Sequence, residues 1–416
     1  EMCIRDRNNR CLMNIQNKKL YYKFFDLERA SLFFGDEELN LYANQILNLI
    51  DSFSKESDDS IIDQNNIHQL IFDNRTIGYF REYKNKGTIE FIDRYLADIP
   101  DWLRSLILPN FLDLKELRSI IKNDLINSKQ QLYRYYLSDK AKSIYGADRA
   151  DLYAYYVENL ESADFPHKYA INNNGSESYI CGKKLFGSFH NHTNYSDGCC
   201  KISELRKLAI ECGREYVGIS DHSKIVNGVK EDDLFKQIEE IDKLNRLSRP
   251  TILKSIECEI LSDGSLDFET KILAQLDYVI VAVHRDVCMT KKEATKRILK
   301  AIEHPESNIL AHPSSRIYKR NIGLYLDMYR IIDACVQNNV VVEINGDPLR
   351  LDLDPKYVQY AITKGAMFSL DSDTHTQKSF YNINNAIRIA EDNNIPIESI
   401  INLKTKTELF KTTFNK

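Results

Sequence analysis

Six of the chain's nine histidines sit in short motifs that also carry carboxylates. His190 and His192 stand two apart in FHNHT, and Asp373 and His375 repeat that spacing in SDTH. Alternation along an extended chain sends both members of such a pair to one side. Asp197 follows in SDG, Asp221 precedes His222, Glu257 and Glu259 flank a cysteine, and His284 and His312 each close an apolar run. Imidazoles and carboxylates with no thiolate among them form a nitrogen and oxygen donor set suited to zinc, manganese or iron. Buried without a cation or a tight hydrogen-bond network, such a cluster would be costly to desolvate. A lone histidine after a strand is more often a hydrogen-bonded structural residue. Six of them, with paired spacing twice, argue for ligation. Spacing alone leaves Glu257 and Glu259 equivalent, and Asp221 reads equally well as a partner fixing an imidazole tautomer. His68, His167 and His304 fall outside these motifs. No G-x-S-x-G motif or P-loop offers an alternative chemistry.

The elements that must position these groups change character midway. From 21 to 160 the apolar residues return at three and four, as in Leu39, Ala43, Leu47 and Ile50, which predicts an all-helical domain of six or seven helices. Residues 1–20 read as a leader or tail, and the polar run around Asn172–Ser176 makes 161–184 a linker. From 185 to 416 short apolar runs alternate with helical stretches: 185–189, 216–220, 252–256, 278–283, 309–311, 340–344 and 367–370. Seven such β/α units predict an α/β fold, a TIM-like barrel closed or slightly incomplete. Barrel sites form where strands end, and the six histidines follow five of these runs. The lysine-bearing helices around 201–207 and 291–300 read as solvated outer faces.

The formal charge is −5, with hydrophobic residues at 43% and charged residues at 28%. Neither half is a basic nucleic-acid arm, and no apolar run is long enough to cross a membrane. Nine cysteines without a C-x-x-C pair suit a reduced, cytoplasmic protein.

The stretches HNHTNYSDG, GISDHS, SIECEILSDGSLDF, LDYVIVAVH, LAHPSSR, VEINGDPLRLDL and SLDSDTH resemble, in this order, the PHP (polymerase and histidinol phosphatase) domain, in particular its version at the C-terminus of bacterial family-X DNA polymerases. The resemblance implies a distorted (β/α)7 barrel holding three divalent metals, manganese or zinc with iron a further candidate, and hydrolysing phosphate esters. It carries the family's nine ligands onto His190, His192, Asp197, His222, Glu257, His284, His312, Asp373 and His375, selecting Glu257 over Glu259. Asp197 and His222 are also candidates for catalytic work, with His222 a possible proton donor to the leaving oxygen. Arg316 and Arg350 stand just past barrel strands, where a guanidinium can clamp a phosphate, although a surface ion pair is an equal reading. Arg285 replaces the small residue the family shows after His284, where it can narrow the pocket or add a phosphate contact.

The stretch 74–107 resembles the helical DNA-end-binding domain that opens those polymerases. The glycine-rich hairpin expected next appears as PNFLDLKEL, without glycine, and no Asp-x-Asp of a polymerase palm precedes Lys184, the one Gly-Ser dipeptide before it being Gly175-Ser176 in the polar linker run. The expected function is therefore phosphate-ester hydrolysis at DNA ends, as a 3′–5′ exonuclease or 3′-phosphatase, without polymerase activity. The alternatives are a small-metabolite phosphatase of the histidinol phosphate type and a non-catalytic module that binds a partner.

Overall fold

A computed structural model describes residues 15–56, 61, 73–107, 113–159, 178–246, 249–316, 323–348 and 350–414. They separate into two compact units, one before residue 160 and one from residue 178 on.

The first unit is helical throughout its described residues: α1 (Ile15–Phe34), α2 (Glu37–Glu56), α3 (Asn74–Lys86), α4 (Glu90–Ala97), α5 (Asp101–Ile107), α6 (Leu114–Asn123), α7 (Lys129–Leu137), α8 (Asp139–Tyr145) and α9 (Ala147–Asn159). These nine exceed the six or seven expected because capping residues cut the last periodic stretch. Ser138 ends α7 and its side chain accepts from Ala141 N–H to start α8, and Gly146 at φ 81° ends α8. Helix α1 begins inside the expected leader because Leu20, Phe24 and Leu27 are needed in the core with Ala43, Ile50 and Phe80. The expected leader before Ile15 lies outside the described residues, as does the stretch 108–112 of the degenerate hairpin.

The second unit opens with an antiparallel pair, β1 (Tyr179–Ile180) and β2 (Lys183–Lys184). The linker expected over 161–184 lies outside the described residues up to 177. Its end belongs to this hairpin, whose Ile180 packs in the same core as Leu185 and Ile389. There follow β3 (Gly187–Ser188), α10 (Ile202–Glu211), β4 (Tyr216–Ile219), α11 (Glu231–Asn245), β5 (Thr251–Lys254), β6 (Glu257–Glu259), α12 (Thr270–Leu273), β7 (Ile280–Ala282), α13 (Lys291–Ile302), β8 (Ile309–Leu310), α14 (Met328–Gln337), β9 (Val341–Asn345), α15 (Pro355–Thr363), β10 (Phe368–Asp371), α16 (Ile383–Asp392) and α17 (Lys406–Leu409).

Strands β3, β4 and β5 form one parallel sheet and β6 to β10 another. Parallel bridges His222↔Glu257 and Asn191↔Thr374 join them at both edges, so β5 and β6 are one strand interrupted at Ser255 and Ile256. The result is a closed, distorted barrel of seven parallel strands with intervening helices, as the alternating runs predicted. The seam between β3 and β10 is short: His192 N–H donates to Thr374 O (2.8 Å), and Phe189 N–H donates to the Asp371 carboxylate (2.7 Å) instead of to a backbone carbonyl. Tyr216, Tyr278 and Ile309 at or just before the starts of β4, β7 and β8, together with Phe189 just past the short β3, pack with Leu409 and Phe414 of the C-terminal segment. That apolar plug leaves the strand ends as the place for polar chemistry. Among the described residues, no helix is long and apolar enough to cross a membrane.

Candidate metal centre

The nine predicted ligands all lie at or just past the strand ends. His190 and His192 follow β3, and Asp197 occupies the turn before α10. Gly198 completes that turn because a Cβ there would stand 2.4 Å from His192 O. His222 follows β4, Glu257 opens β6, His284 follows β7, His312 follows β8, and Asp373 and His375 follow β10. His312 and Asp373 hold φ of 27° and 49°, left-handed backbone that costs free energy and is tolerated where the surroundings dictate the geometry.

Their donor atoms converge in four overlapping groups, each within 4.8 Å: His192, Asp197, His222 and His375; His190, His192 and Asp373; His190, Glu257 and His312; His222, Glu257 and His284. Glu257, fully buried, is the hub. One oxygen lies 2.8 Å from His312 Nε2, 3.2 Å from His284 Nε2 and 3.4 Å from His190 Nε2. The other lies 2.7 Å from His222 Nδ1 and 3.5 Å from His192 Nε2. Asp373 Oδ1 sits 3.2 Å from His192 Nε2, and Asp197 Oδ2 sits 3.3 Å from His375 Nε2. Spacing had left Glu257 and Glu259 open; the geometry puts Glu257 at the centre and Glu259 behind it.

Several inward atoms, among them His190 Nε2, both ring nitrogens of His192 and His284 Nε2, are buried beside carboxylate oxygens but without a well-aligned hydrogen bond. Orphaned polar atoms of this kind are costly and rare, and here they aim at common points. The donor set therefore fits divalent cations. From behind, Glu343 Oε1 lies 2.6 Å from His190 Nδ1 and Glu259 Oε2 lies 2.7 Å from His284 Nδ1, which leaves each Nε2 facing the centre. Glu343 also accepts from His312 N–H (2.6 Å) and the Asn345 amide (3.0 Å). The sequence reading assigned no role to Glu343. Its signal was a lone carboxylate inside the apolar run Val341-Val342-Glu343-Ile344.

The charges are strongly coupled. Burial acts to lower His222 and His284, but Asp197 and Glu257 around the first, and Glu257 and Glu259 around the second, bring both up to about 9. Burial likewise opposes protonation of His190, yet Asp373, Glu257 and Glu343 raise it well above the ordinary value. His192 goes the other way, down to about 3, through burial and the charges of His375 and His222. Burial would raise Asp197 and Glu257, and the surrounding imidazoles hold both well below the usual carboxylate range.

Four other candidates have partners of their own in this fold. The hydrogen bonds of the Asp221 carboxylate go to groups other than the imidazoles. It accepts from Thr193 N–H (2.7 Å), the Ser196 hydroxyl and the Gln237 amide (2.6 Å), bracing the loop before Asp197. Arg316 Nε donates to Arg350 O (3.1 Å) and its Nη2 to Leu351 O, so the expected phosphate clamp is engaged as a strut. Arg350 is buried and its Nε donates to Asp373 Oδ2 (3.1 Å). Arg285 is partly buried at the rim, where Nη1 donates to Ile225 O (2.9 Å). Helix α13 keeps Lys291, Lys292, Lys296 and Lys300 exposed as expected, but turns Arg297 into the barrel wall.

Residues 188–346 match the family profile described as PHP domain. The chain is 30% identical over 226 residues to the DNA polymerase/3′-5′ exonuclease PolX of Bacillus subtilis, an alignment covering 53% of this chain and 40% of that protein. It thus spans less than half of that relative's length. A probable phosphatase of Clostridium acetobutylicum is 27% identical over 54% of this chain and 92% of its own length. A probable phosphatase of Caldanaerobacter subterraneus is 28% identical over 51% and 85%. Among solved structures, the histidinol phosphate phosphatase of Lactococcus lactis, crystallised with zinc, L-histidinol and phosphate, is similar at 15% identity and a TM-score of 0.37, over 50% of this chain and 94% of its own.

Proposed function

We propose, from the match of residues 188–346 to the PHP domain profile, that the chain is a metal-dependent phosphoesterase whose substrate is a phosphate ester at a DNA end, cleaved as a 3′–5′ exonuclease or 3′-phosphatase. The observation that carries the hydrolase reading is the convergence of nine nitrogen and oxygen donors from six strand ends in one buried, partly orphaned cluster. His190, His192, Asp197, His222, Glu257, His284, His312, Asp373 and His375 would hold three divalent cations, manganese, zinc or iron. When bound, such ions supply the electrophilic pull on phosphoryl oxygens that ester hydrolysis needs.

The chain's own groups do the rest. Glu343 and Glu259 keep His190 and His284 oriented toward the centre. Asp197, shared between His222 and His375, fixes the direction of both imidazoles. Arg285 and Arg316 are partly buried and Arg350 is buried; Arg316 and Arg350 would reach a phosphate only through donors not engaged by the 350–351 carbonyls and Asp373. DNA ends are favoured by the likeness to PolX and by the stretch 74–107. A small-metabolite phosphatase is the second reading, supported by relatives called probable phosphatases that align over most of their own length and by the absence of a basic half. A non-catalytic module is disfavoured by the complete ligand set.

Elemental analysis of the purified chain tests the centre directly. Incubation of the manganese-loaded protein with end-labelled single-stranded DNA and, separately, with histidinol phosphate tests the substrate. Shortening of the DNA supports the first reading, and phosphate release from the metabolite alone moves the conclusion to the second. His192→Ala should abolish whichever activity is found; full retention would show the centre to be misassigned.

A further inference from the structure

We infer that Arg297, on the inner face of α13, is a positioning residue of this centre, holding Glu259 so that Glu259 can hold His284. The inference rests on the metal-centre reading and extends it to a residue outside the ligand set.

Arg297 is only 2% exposed, although it sits on a helix that covers the barrel from outside. It takes the position on the apolar stripe of α13 next to Ile298 and between Ala294 and Ala301. Its guanidinium ties together two segments, 259–261 and 285–286. Nε donates to Ile260 O (3.0 Å) and Leu261 O (2.9 Å), just past β6. Nη1 donates to Arg285 O (2.9 Å) and Asp286 O (3.2 Å), just past β7. Nη2 donates to Glu259 Oε1 (3.3 Å) and to Ile260 O.

Glu259 passes this constraint on. The same Oε1 accepts from the backbone N–H of His284 (2.9 Å) and of Arg285 (3.0 Å), while Oε2 faces His284 Nδ1 at 2.7 Å. His284 Nε2 then points 3.2 Å from the hub carboxylate of Glu257. An independent feature shows that the loop after β6 is built to press on α13. Gly264 holds φ of 82°, and a Cβ there would stand 2.7 Å from Arg297 O. Lys300 Nζ seals the same turn on Asp263 O (2.9 Å). Only the planar, multi-donor guanidinium suits this arrangement, because an ammonium offers a single point of attachment. A buried charge with no partner would also be strongly disfavoured, which makes Arg297 and Glu259 one unit.

The test measures zinc affinity of the full chain by chelator competition, with no substrate present. Arg297→Met should weaken zinc binding about 10 to 100-fold, the usual effect of removing a group that orients a ligand. Glu259→Gln should do the same, and the double variant should be no weaker than Glu259→Gln alone, since the two act in series. If Arg297→Met does not fold, Arg297→Lys carries the same expectation, and folding is checked by near-UV circular dichroism. Wild-type affinity in a folded Arg297 variant, or losses that simply add in the double variant, would overturn the inference. A wild-type chain that takes up no zinc or manganese at all would instead sink the metal-centre reading beneath it.

Discussion

The buried imidazoles make metal uptake a proton-coupled event. In the metal-free chain His222 and His284 are held at about 9 by the carboxylates beside them, so at neutral pH both carry protons that a cation must displace. Affinity should therefore climb between pH 6 and pH 9, with protons released on binding. Calorimetric zinc titrations in buffers of different ionisation enthalpy measure this, and an affinity flat over that range would contradict the charge arrangement. The sign for stability follows from the same shift. A histidine raised from an unfolded value of about 6.5 contributes stability that is complete below that pH and lost as pH rises through about 9. The metal-free chain should accordingly unfold at a lower temperature at pH 9 than at pH 7. Glu343→Gln, which weakens the hold on His190 Nδ1 and on His312 N–H, should lower zinc affinity about 10 to 100-fold with little change in secondary structure by circular dichroism.

At the level of elements, two glycines make opposite predictions. Gly198→Ala places a Cβ 2.4 Å from His192 O in the turn that carries Asp197, and should cost about 1–3 kcal/mol in thermal unfolding while weakening metal retention. Gly78→Ala, inside α3 with nothing within 4 Å of the added carbon, should stabilise the helical unit by about 0.5–1 kcal/mol. The elements themselves were largely readable. All seven barrel runs became strands at the positions given by their apolar patterning, because parallel strands covered on both faces need continuous apolar side chains. The convergence of the candidate ligands was readable too, since histidine pairs at strand ends have few structural explanations. The break between β5 and β6 was not, as Ser255 and Ile256 are ordinary strand residues. The inward turn of Arg297 was masked by the four lysines around it, and the reach of Arg316 and Arg350 depends on backbone carbonyls that no side-chain pattern encodes. Short helices such as α8 hung on single caps that periodicity does not register.

For the whole molecule, the predicted consequence of the missing Asp-x-Asp carboxylate pair in the first half is that no nucleotide is incorporated in primer extension with manganese and dNTPs; incorporation would overturn the reading of the first half. Binding of metal to the folded state alone should also raise the unfolding temperature of the barrel as metal concentration rises, and chelation should reverse it. The way the barrel closes tells where that effect begins. Only a short stretch of pairing joins β3 to β10, yet His190 and His192 stand on one side of the join and Asp373 and His375 on the other. Any cation shared between these residues bridges the first strand of the barrel to the last, across the one place where neighbours in the sheet are most distant in the chain. Loss of metal should then show first as faster amide hydrogen exchange at residues 189–192 and 372–375, ahead of the inner strands, so that the ions govern local opening of the cylinder as well as its chemistry.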